Sequence, residues 1–251
     1  MITVACVLKS GGDYGAEYVR RLKEGVDRNL DGHRFVCLSD VAVPCERIPL
    51  KHDFPGWWAK LELFYLDGPV LFFDLDLVIT DRLEPFFEYG AADDVILARN
   101  PAVPLERLGQ TSLFRFPVGK LKPLQDAFRA DPQGIADRYR YEQRFVTRKT
   151  PGGIKFWPKP WVRTFKQHCH RMLPINFFAE PILPKGARVV IFPGRVSPHD
   201  AMAGRWDSDD AGVSRREHIR RAFRGGRHQT SLRYLRHYYI PPRWLAEHWR
   251  E

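Results

Sequence analysis

Apolar residues along the first half of the chain gather in short uninterrupted runs, and three of these runs predict buried strands. They are 2–8, 35–38 and 70–73. Strands covered on both faces of a sheet carry such runs without alternation. Between the first two, apolar positions recur at helical spacing over 14–30, so the chain begins as a β-α-β unit, which favours a parallel sheet.

Weaker patterns extend this reading along the chain. The spacing over 55–64 predicts a helix whose positions 57, 61 and 64 face the core. The remaining predictions are a helical turn at 81–87, a strand at 93–98, a polar loop entering a strand at 109–116, helices at 118–128 and 139–147 separated by a break at 131–134, an extended stretch at 154–161, a last buried strand at 189–192, and a glycine and proline loop at 193–200.

Composition and charge divide the chain in two. Its 251 residues are 44% apolar, which suits one α/β domain with a tail. The net charge is +10, and 214–251 holds ten arginines against three glutamates, or +7. We therefore predict a domain at 1–210 and a basic, aromatic tail at 211–251. Such a tail attracts nucleic acid, an anionic membrane or an acidic partner.

Cysteine spacing and hydropathy predict a cytoplasmic protein. The four cysteines show no CxxC spacing, so buried free thiols in a reducing compartment are expected. The first eight residues lack a basic start and a long apolar segment, so they predict a strand and not a signal peptide. No run reaches the roughly 20 apolar residues that span a bilayer.

Two carboxylates end the third apolar run. If the extended geometry persists past Asp74 to Asp76, both side chains point to the same side. Neighbouring carboxylates repel unless a cation or a proton neutralises them. Mg²⁺ or Mn²⁺ typically binds one or two carboxylates together with substrate phosphates. Asp74 and Asp76 therefore predict a metal and diphosphate site.

Two enzyme classes use an acidic pair on an apolar strand. The run Asp74-Leu75-Asp76-Leu77-Val78 matches the Asp-x-Asp-x-Thr/Val pattern of haloacid dehalogenase-type phosphatases, in which the first Asp is a nucleophile. That architecture begins with the acidic strand, whereas two strands precede it here. The alternative is the DxD site of sugar-nucleotide glycosyltransferases, in which a metal bridges carboxylates and diphosphate.

The segment Trp58-Ala59-Lys60-Leu61, followed by the run 73–79, resembles the core of GT-A fold glycosyltransferases, particularly bacterial ones similar to family 8. The resemblance covers most of 1–206. It implies an α/β, Rossmann-like fold with a mixed, mainly parallel sheet flanked by helices, here with a basic C-terminal helical tail. It also implies sugar transfer from a UDP-sugar to a cell-surface glycan or lipid-linked acceptor, such as a lipopolysaccharide precursor.

The resemblance implies roles for individual residues. Asp74 and Asp76, with Leu75 between them, would hold Mn²⁺ or Mg²⁺. Lys60, otherwise an ordinary solvated helix residue, stands where the family has an Arg that contacts the diphosphate or donor sugar. The pair Glu142-Gln143 matches an Asp-Gln pair that borders the donor sugar and acceptor. The residues expected beside the nucleoside are Leu8, Lys9, Ser10 and Tyr14, although their glycine loop also fits an ordinary tight turn.

Two departures from the family leave questions open. Where the family commonly has a metal-binding His, this chain has Ile191. Either His199 or Asp200 is a third ligand, or the acidic pair holds the metal with diphosphate and water alone; His199 also fits a surface loop. Glu142 is one methylene longer than the family's Asp, so retention of sugar configuration stays open.

The tail allows three interpretations. Its arginines, including Arg215, Arg216 and Arg227, alternate with aromatic residues that suit an anionic lipid surface. The same residues suit RNA, or packing of a final helix on the body. Family members that act on lipid-linked acceptors often carry basic, aromatic C-termini, so we expect peripheral attachment to the inner face of the membrane and no nucleic-acid partner.

Overall fold

The computed structural model describes residues 2–206, 212–224 and 231–250. Within these ranges the strands are β1 (Ile2–Leu8), β2 (His33–Ser39), β3 (Glu46–Pro49), β4 (Val70–Phe73), β5 (Leu77–Ile79), β6 (Ile96–Arg99), β7 (Gly109–Phe116), β8 (Lys155–Phe156), β9 (Val162–Thr164) and β10 (Val189–Ile191).

The helices in the same ranges are α1 (Ala16–Asn29), α2 (Pro85–Glu88), α3 (Lys122–Ala130), α4 (Pro132–Tyr139), α5 (Glu142–Lys149), α6 (Pro198–Met202), α7 (Arg215–Arg224), α8 (Ser231–Leu235) and α9 (Arg243–His248). Two 3-10 helices, Gly56–Tyr65 and Ile175–Phe177, and a π-helical turn, Phe165–Cys169, complete the set.

The chain packs as two compact units. The first holds the described residues up to Leu75 together with 82–159, and the second holds 76–81 together with the described residues of 160–250. The predicted boundary between 210 and 211 lies outside the described residues, so that division stays a prediction. No described helix is both long and apolar enough to cross a membrane.

The first unit contains a sheet in the order β3-β2-β1-β4-β7-β6-β8. Strands β3, β2, β1 and β4 run parallel, β7 is antiparallel to β4 and β6, and β8 is parallel to β6. Every residue of β4 is buried, as its uninterrupted apolar run predicts. The mixed, mainly parallel sheet and its first β-α-β unit confirm the predicted fold class.

The helix predicted at 55–64 is a 3-10 helix, and its buried face differs from the prediction. Trp57 is 51% exposed, whereas Trp58 is 4% exposed and stacks on Phe128 with ring centroids 4.5 Å apart. A 3-10 helix aligns residues three apart, so Trp58, Leu61 and Phe64 share the buried face. The expectation that Trp57 faces the core was wrong.

The predicted chain break at 131–134 is the start of α4. The Asp131 side chain accepts a 2.9 Å hydrogen bond from the Gly134 N–H, and Pro132 occupies the first helical position. Asp and Pro suit a helix start as well as a turn. The predicted break is therefore present at Asp131, which is not helical and separates α3 from α4, but the prediction was wrong for 132–134, which are helical.

The extended geometry of β4 does not persist to Asp76. Residues 75 and 76 form a turn, and β5 begins at Leu77 in a different sheet. The alternation argument for the two carboxylates therefore does not hold. The boundary between the two units also falls between Leu75 and Asp76.

The second unit contains the sheet β5-β10-β9 and helices α6 to α9. Aromatic residues of the tail pack inside this unit: Tyr238 stacks on Phe177 at 4.9 Å, and Tyr239 and Trp249 are buried. These contacts favour the packing interpretation for the tail aromatics. Arg227 lies outside the described residues.

Candidate functional site

The ammonium of Lys60 lies between two carboxylates in the first unit. Its Nζ is 2.9 Å from Oδ1 and 3.1 Å from Oδ2 of Asp74, and 3.3 Å from Oε1 of Glu142. Burial alone would lower the pKa of Lys60, but attraction to Asp74 and then Glu142 outweighs it and raises this pKa above its ordinary value. Lys60 is therefore a firmly protonated cation, and not the solvated helix residue of the alternative interpretation.

The side chains of Lys60, Asp74 and Glu142 come from three different parts of the first unit. Asp74 directly follows β4, and its N–H donates a 2.8 Å hydrogen bond to the Ser112 carbonyl on β7. Lys60 lies in the middle of the 3-10 helix, and Glu142 is the first residue of α5. Lys60 and Glu142 are 82 positions apart, so their contact depends on tertiary folding.

Two residues that the sequence did not predict as part of the site form hydrogen bonds to the side chains of Glu142 and Gln143. The buried Thr111 hydroxyl donates a 2.7 Å hydrogen bond to Oε1 of Glu142. The Asn100 amide donates a 3.0 Å hydrogen bond to Oε1 of Gln143. A sequence signal existed for Thr111, because it belongs to a polar run opening an otherwise apolar strand; none pointed to Asn100.

The loop after β1 is tied to the loops after β2 and β3. Lys9 Nζ donates to Asp53 Oδ1 and to the Phe54 carbonyl, both at 2.6 Å. The Ser10 N–H and hydroxyl donate to Asp40 at 2.8 and 2.6 Å, and these bonds, the hydroxyl's first, lower the pKa of Asp40.

The other two predicted nucleoside residues lie at the same edge of the sheet. Leu8 is the buried last residue of β1, and the Tyr14 ring lies 4.6 Å from that of Tyr18. Carboxyl ends of parallel strands are where open α/β sheets bind ligands. Sequence reasoning missed Asp40 and Asp53.

The second unit holds the remaining predicted ligands. Asp76 is half-buried, and His199 is exposed on α6. The predicted glycine and proline loop is in part this helix, capped by Ser197, whose N–H and hydroxyl donate to Asp200 at 3.0 and 2.7 Å. Asp200 also pairs with Arg205 at 2.6 Å. In the described part of the chain, no three His, Cys, Asp or Glu side chains gather as a metal-binding group.

No protein-family model and no curated protein matches the sequence. Solved structures with a similar fold include the galactosyltransferase LgtC in complex with donor and acceptor sugar analogs, which is 14% identical with a TM-score of 0.58 over 86% of this chain and 93% of LgtC. The glycosyltransferase GlyE of Streptococcus pneumoniae is 12% identical, with a TM-score of 0.60 over 86% of this chain and 60% of GlyE. The bifunctional glycosyltransferase WbbM is 13% identical, with a TM-score of 0.56 over 78% and 46%. The predicted GT-A-like fold is confirmed.

Proposed function

We propose that this protein is a glycosyltransferase that uses Mn²⁺ or Mg²⁺ to move a sugar from a nucleoside diphosphate donor, UDP-linked, to a glycan or lipid-linked acceptor of the cell surface. The observation that carries the proposal is the position of the Lys60 side-chain nitrogen between the carboxylates of Asp74 and Glu142, beside the end of a buried strand. The fold shared with glycosyltransferases supports the same activity.

The chemistry of the acidic residues fits a hard divalent cation. Asp74 offers carboxylate oxygens on a side chain that is 21% exposed, and Asp76 offers a second carboxylate. Oxygen ligands of this kind suit Mg²⁺ and Mn²⁺. Asp74 and Asp76 would hold the cation, with His199 as the proposed third ligand. When bound, the cation would neutralise charge on the departing diphosphate.

The chain's own residues would orient the substrates. Lys60 places a fixed positive charge where the leaving diphosphate becomes more negative, and such preorganised charge lowers the barrier. Glu142 would accept a hydrogen bond from a sugar hydroxyl. Because Oε1 of Gln143 accepts from Asn100, its amide nitrogen would donate to the sugar. The residues proposed to line the nucleoside site are Leu8, Lys9, Ser10, Tyr14 and Leu75.

Metal-dependent donor hydrolysis tests this proposal. We expect wild type to release UDP from UDP-galactose or UDP-glucose in the presence of Mn²⁺, and Asp76→Asn to lose this release while staying folded. The matched control is Asp137→Asn. Asp137 is an exposed residue of α4, and its carboxylate accepts a 2.8 Å hydrogen bond from the Gln133 side-chain amide. Full turnover by Asp76→Asn would contradict the proposal. Turnover of p-nitrophenyl phosphate through a phosphorylated Asp74 would favour the phosphatase alternative.

We further propose that the protein is cytoplasmic and attaches peripherally to anionic lipid. In the second unit, α7 exposes Ile219 and Phe223 among its arginines, and the Arg215 guanidinium lies 5.5 Å from the exposed Phe178 ring. Exposed apolar side chains among arginines suit a lipid headgroup layer.

Sedimentation of the full chain with lipid vesicles tests the attachment. We expect binding to phosphatidylglycerol vesicles that exceeds binding to phosphatidylcholine vesicles and weakens with salt. Phe223→Ser should reduce it, whereas Ile182→Ser, a partly exposed apolar residue in the same unit, serves as control. Stronger binding to RNA at physiological salt would instead favour the nucleic-acid alternative.

A further inference from the structure

A concave site lies in the first unit at a place that neither Lys60, Asp74 nor Glu142 lines. It is a cavity of about 280 Å³ bounded by β2, β3, the 3-10 helix Gly56–Tyr65 and α3. An apolar cavity of roughly 150 Å³ accepts benzene. This cavity is therefore large enough for one substituted ring.

Apolar side chains form much of its wall. Leu38 and Ile48 are paired across neighbouring strands β2 and β3, and Leu66, just after the 3-10 helix, also lines the cavity. The partly exposed Tyr65 adds an aromatic ring. Such a wall favours an apolar or aromatic body over a fully hydroxylated one.

The rim is held in place by a buried carboxylate. Glu62 is 6% exposed, and its two oxygens accept hydrogen bonds from the backbone N–H groups of Lys51 at 2.6 Å and His52 at 3.1 Å. These bonds fix the segment after β3 against the helix. Because the protein's own contacts hold the rim, a ligand would not have to order it first.

Gln125 on α3 supplies a polar group that lacks a partner. It lines the cavity and is 3% exposed, and its Oε1 is buried without a hydrogen-bond partner among the described residues. A buried acceptor without a donor is unfavourable. A ligand that carries a hydroxyl or amino group could supply the missing donor once the Gln125 amide turns this oxygen, which has almost no accessible surface, toward the cavity.

Two cations complete the lining. Lys51 follows β3 and Arg129 lies on α3, and both are exposed at the cavity. Arg129 pairs with Asp126 at 3.7 Å, an exposed contact of the kind that contributes little. The lining thus has a positive side that suits an acidic group.

We propose that this cavity binds a small amphipathic anion, a single apolar ring that carries both an acidic group and a hydroxyl or amino donor. The ring packs on Leu38, Ile48 and Leu66, the donor meets Gln125, and the acidic group meets Lys51 and Arg129. The site is separate from the proposed sugar-transfer site and does not depend on it.

Three defined probes test the ligand class on the full chain by saturation-transfer NMR. We expect 4-hydroxybenzoate to bind with a dissociation constant of about 1 mM, as suits some ten non-hydrogen atoms. The neutral 4-hydroxybenzyl alcohol should bind several-fold more weakly, and galacturonate should not bind. UDP should not displace 4-hydroxybenzoate. Failure of 4-hydroxybenzoate to bind, preference for galacturonate, or displacement by UDP would overturn the proposal.

Paired variants place the bound probe. Arg129→Gln should weaken 4-hydroxybenzoate binding at least threefold, whereas Arg138→Gln, an equal charge change on the exposed face of α4, should leave it unchanged. Ile48→Trp should fill the cavity and abolish binding, with circular dichroism to confirm folding. Equal effects of the two arginine variants would overturn the proposal even if Ile48→Trp fails to fold.

Discussion

The buried hydroxyl of Thr111 donates a 2.7 Å hydrogen bond to Oε1 of Glu142. The same oxygen lies 3.3 Å from the Lys60 ammonium. Two donors on one oxygen hold the Glu142 side chain in a single orientation, although the three residues come from a strand, a helix and a 3-10 helix. Thr111 is thus a positioning residue for the proposed site.

Thr111→Val removes this hydroxyl while keeping the side chain's shape. Because the lost hydrogen bond ends on a charged group, we expect the free energy of unfolding to fall by about 1.5–3 kcal/mol. Metal-dependent UDP release should fall about tenfold in kcat, since a misplaced group of this kind costs transition-state stabilisation. Denaturant unfolding and initial rates measure the two effects.

Two further variants separate positioning from general destabilisation. Thr111→Ser keeps the hydroxyl and should restore most of the turnover. Thr150→Val removes a 2.6 Å hydrogen bond to the neutral Val146 carbonyl and should cost about 1 kcal/mol with turnover unchanged. Loss of turnover in Thr150→Val as large as in Thr111→Val would argue that Thr111 does no more than stabilise the fold.

Lys60→Met should destabilise the protein by about 3–5 kcal/mol at neutral pH, because Asp74 and Glu142 lose the cation between them. The pKa of Lys60 is higher in the folded state than in the unfolded state. The contribution of Lys60 to the free energy of unfolding is therefore fully present below the unfolded-state pKa and is lost as pH rises through the folded-state pKa.

The difference in unfolding free energy between wild type and Lys60→Met should therefore stay constant from about pH 7 to pH 10 and shrink above that range. Urea unfolding across this range measures the difference. Lys60→Arg keeps the charge and should lie closer to wild type. A difference that had already vanished at about pH 9 would contradict a protonated Lys60 in the folded state.

Adjacent tryptophans test the register of the 3-10 helix. Trp58→Ala should cost about 3–5 kcal/mol, because it opens a cavity beside Phe128 in the core. Trp57→Ala should cost less than about 1 kcal/mol, because half of that residue is exposed and its ring lies 5.8 Å from the exposed Tyr141 ring, away from the core. Similar costs for the two variants in denaturant unfolding would contradict the observed register.

His170 should make the second unit sensitive to acid. Burial lowers the pKa of His170, and the 3.2 Å hydrogen bond to the Tyr238 carbonyl offsets this only in part. Because this pKa is lowered in the folded state, the contribution of neutral His170 to the free energy of unfolding is present above the unfolded-state pKa of about 6.5. That contribution is lost as pH falls through the folded-state pKa.

His170→Gln keeps a donor for the Tyr238 carbonyl but cannot titrate. We expect its free energy of unfolding to fall less than that of wild type between about pH 6.5 and pH 4.5. Denaturant unfolding followed by near-ultraviolet circular dichroism measures this, and His52→Gln in the first unit serves as control. Identical slopes for wild type and His170→Gln would exclude His170 as a source of acid sensitivity.

The central strands could be predicted because their signal is local. An uninterrupted apolar run such as Val70–Phe73 indicates a strand covered on both faces wherever it occurs. Lys60 could be associated with Asp74 because a short segment leads from one to the other. The start of α4 was missed because Asp131 and Pro132 serve turns and helix starts equally well.

Residues distant in sequence owe their roles to packing. Glu142 meets Lys60 across 82 positions, Thr111 meets Glu142 across 31, and Asp40 meets Ser10 across 30. No local pattern encodes such pairs, since each depends on which strands become neighbours in the sheet. The tail also could not be interpreted from sequence, because arginine and aromatic residues suit a lipid surface, RNA or a protein core equally well. Only the structure shows that Tyr238 stacks on Phe177.

Hydrophobic periodicity thus settled which segments are buried and placed a carboxylate at the end of the strand Val70–Phe73. Tertiary structure alone decided that a single ammonium, from Lys60, lies between Asp74 and Glu142, and that β4 gives way to a turn before Asp76. The physical reason is the separation along the sequence of the residues involved. Burial of a strand follows from side chains next to one another in the sequence, whereas charge pairing and hydrogen bonding depend on atoms that the whole sheet brings together.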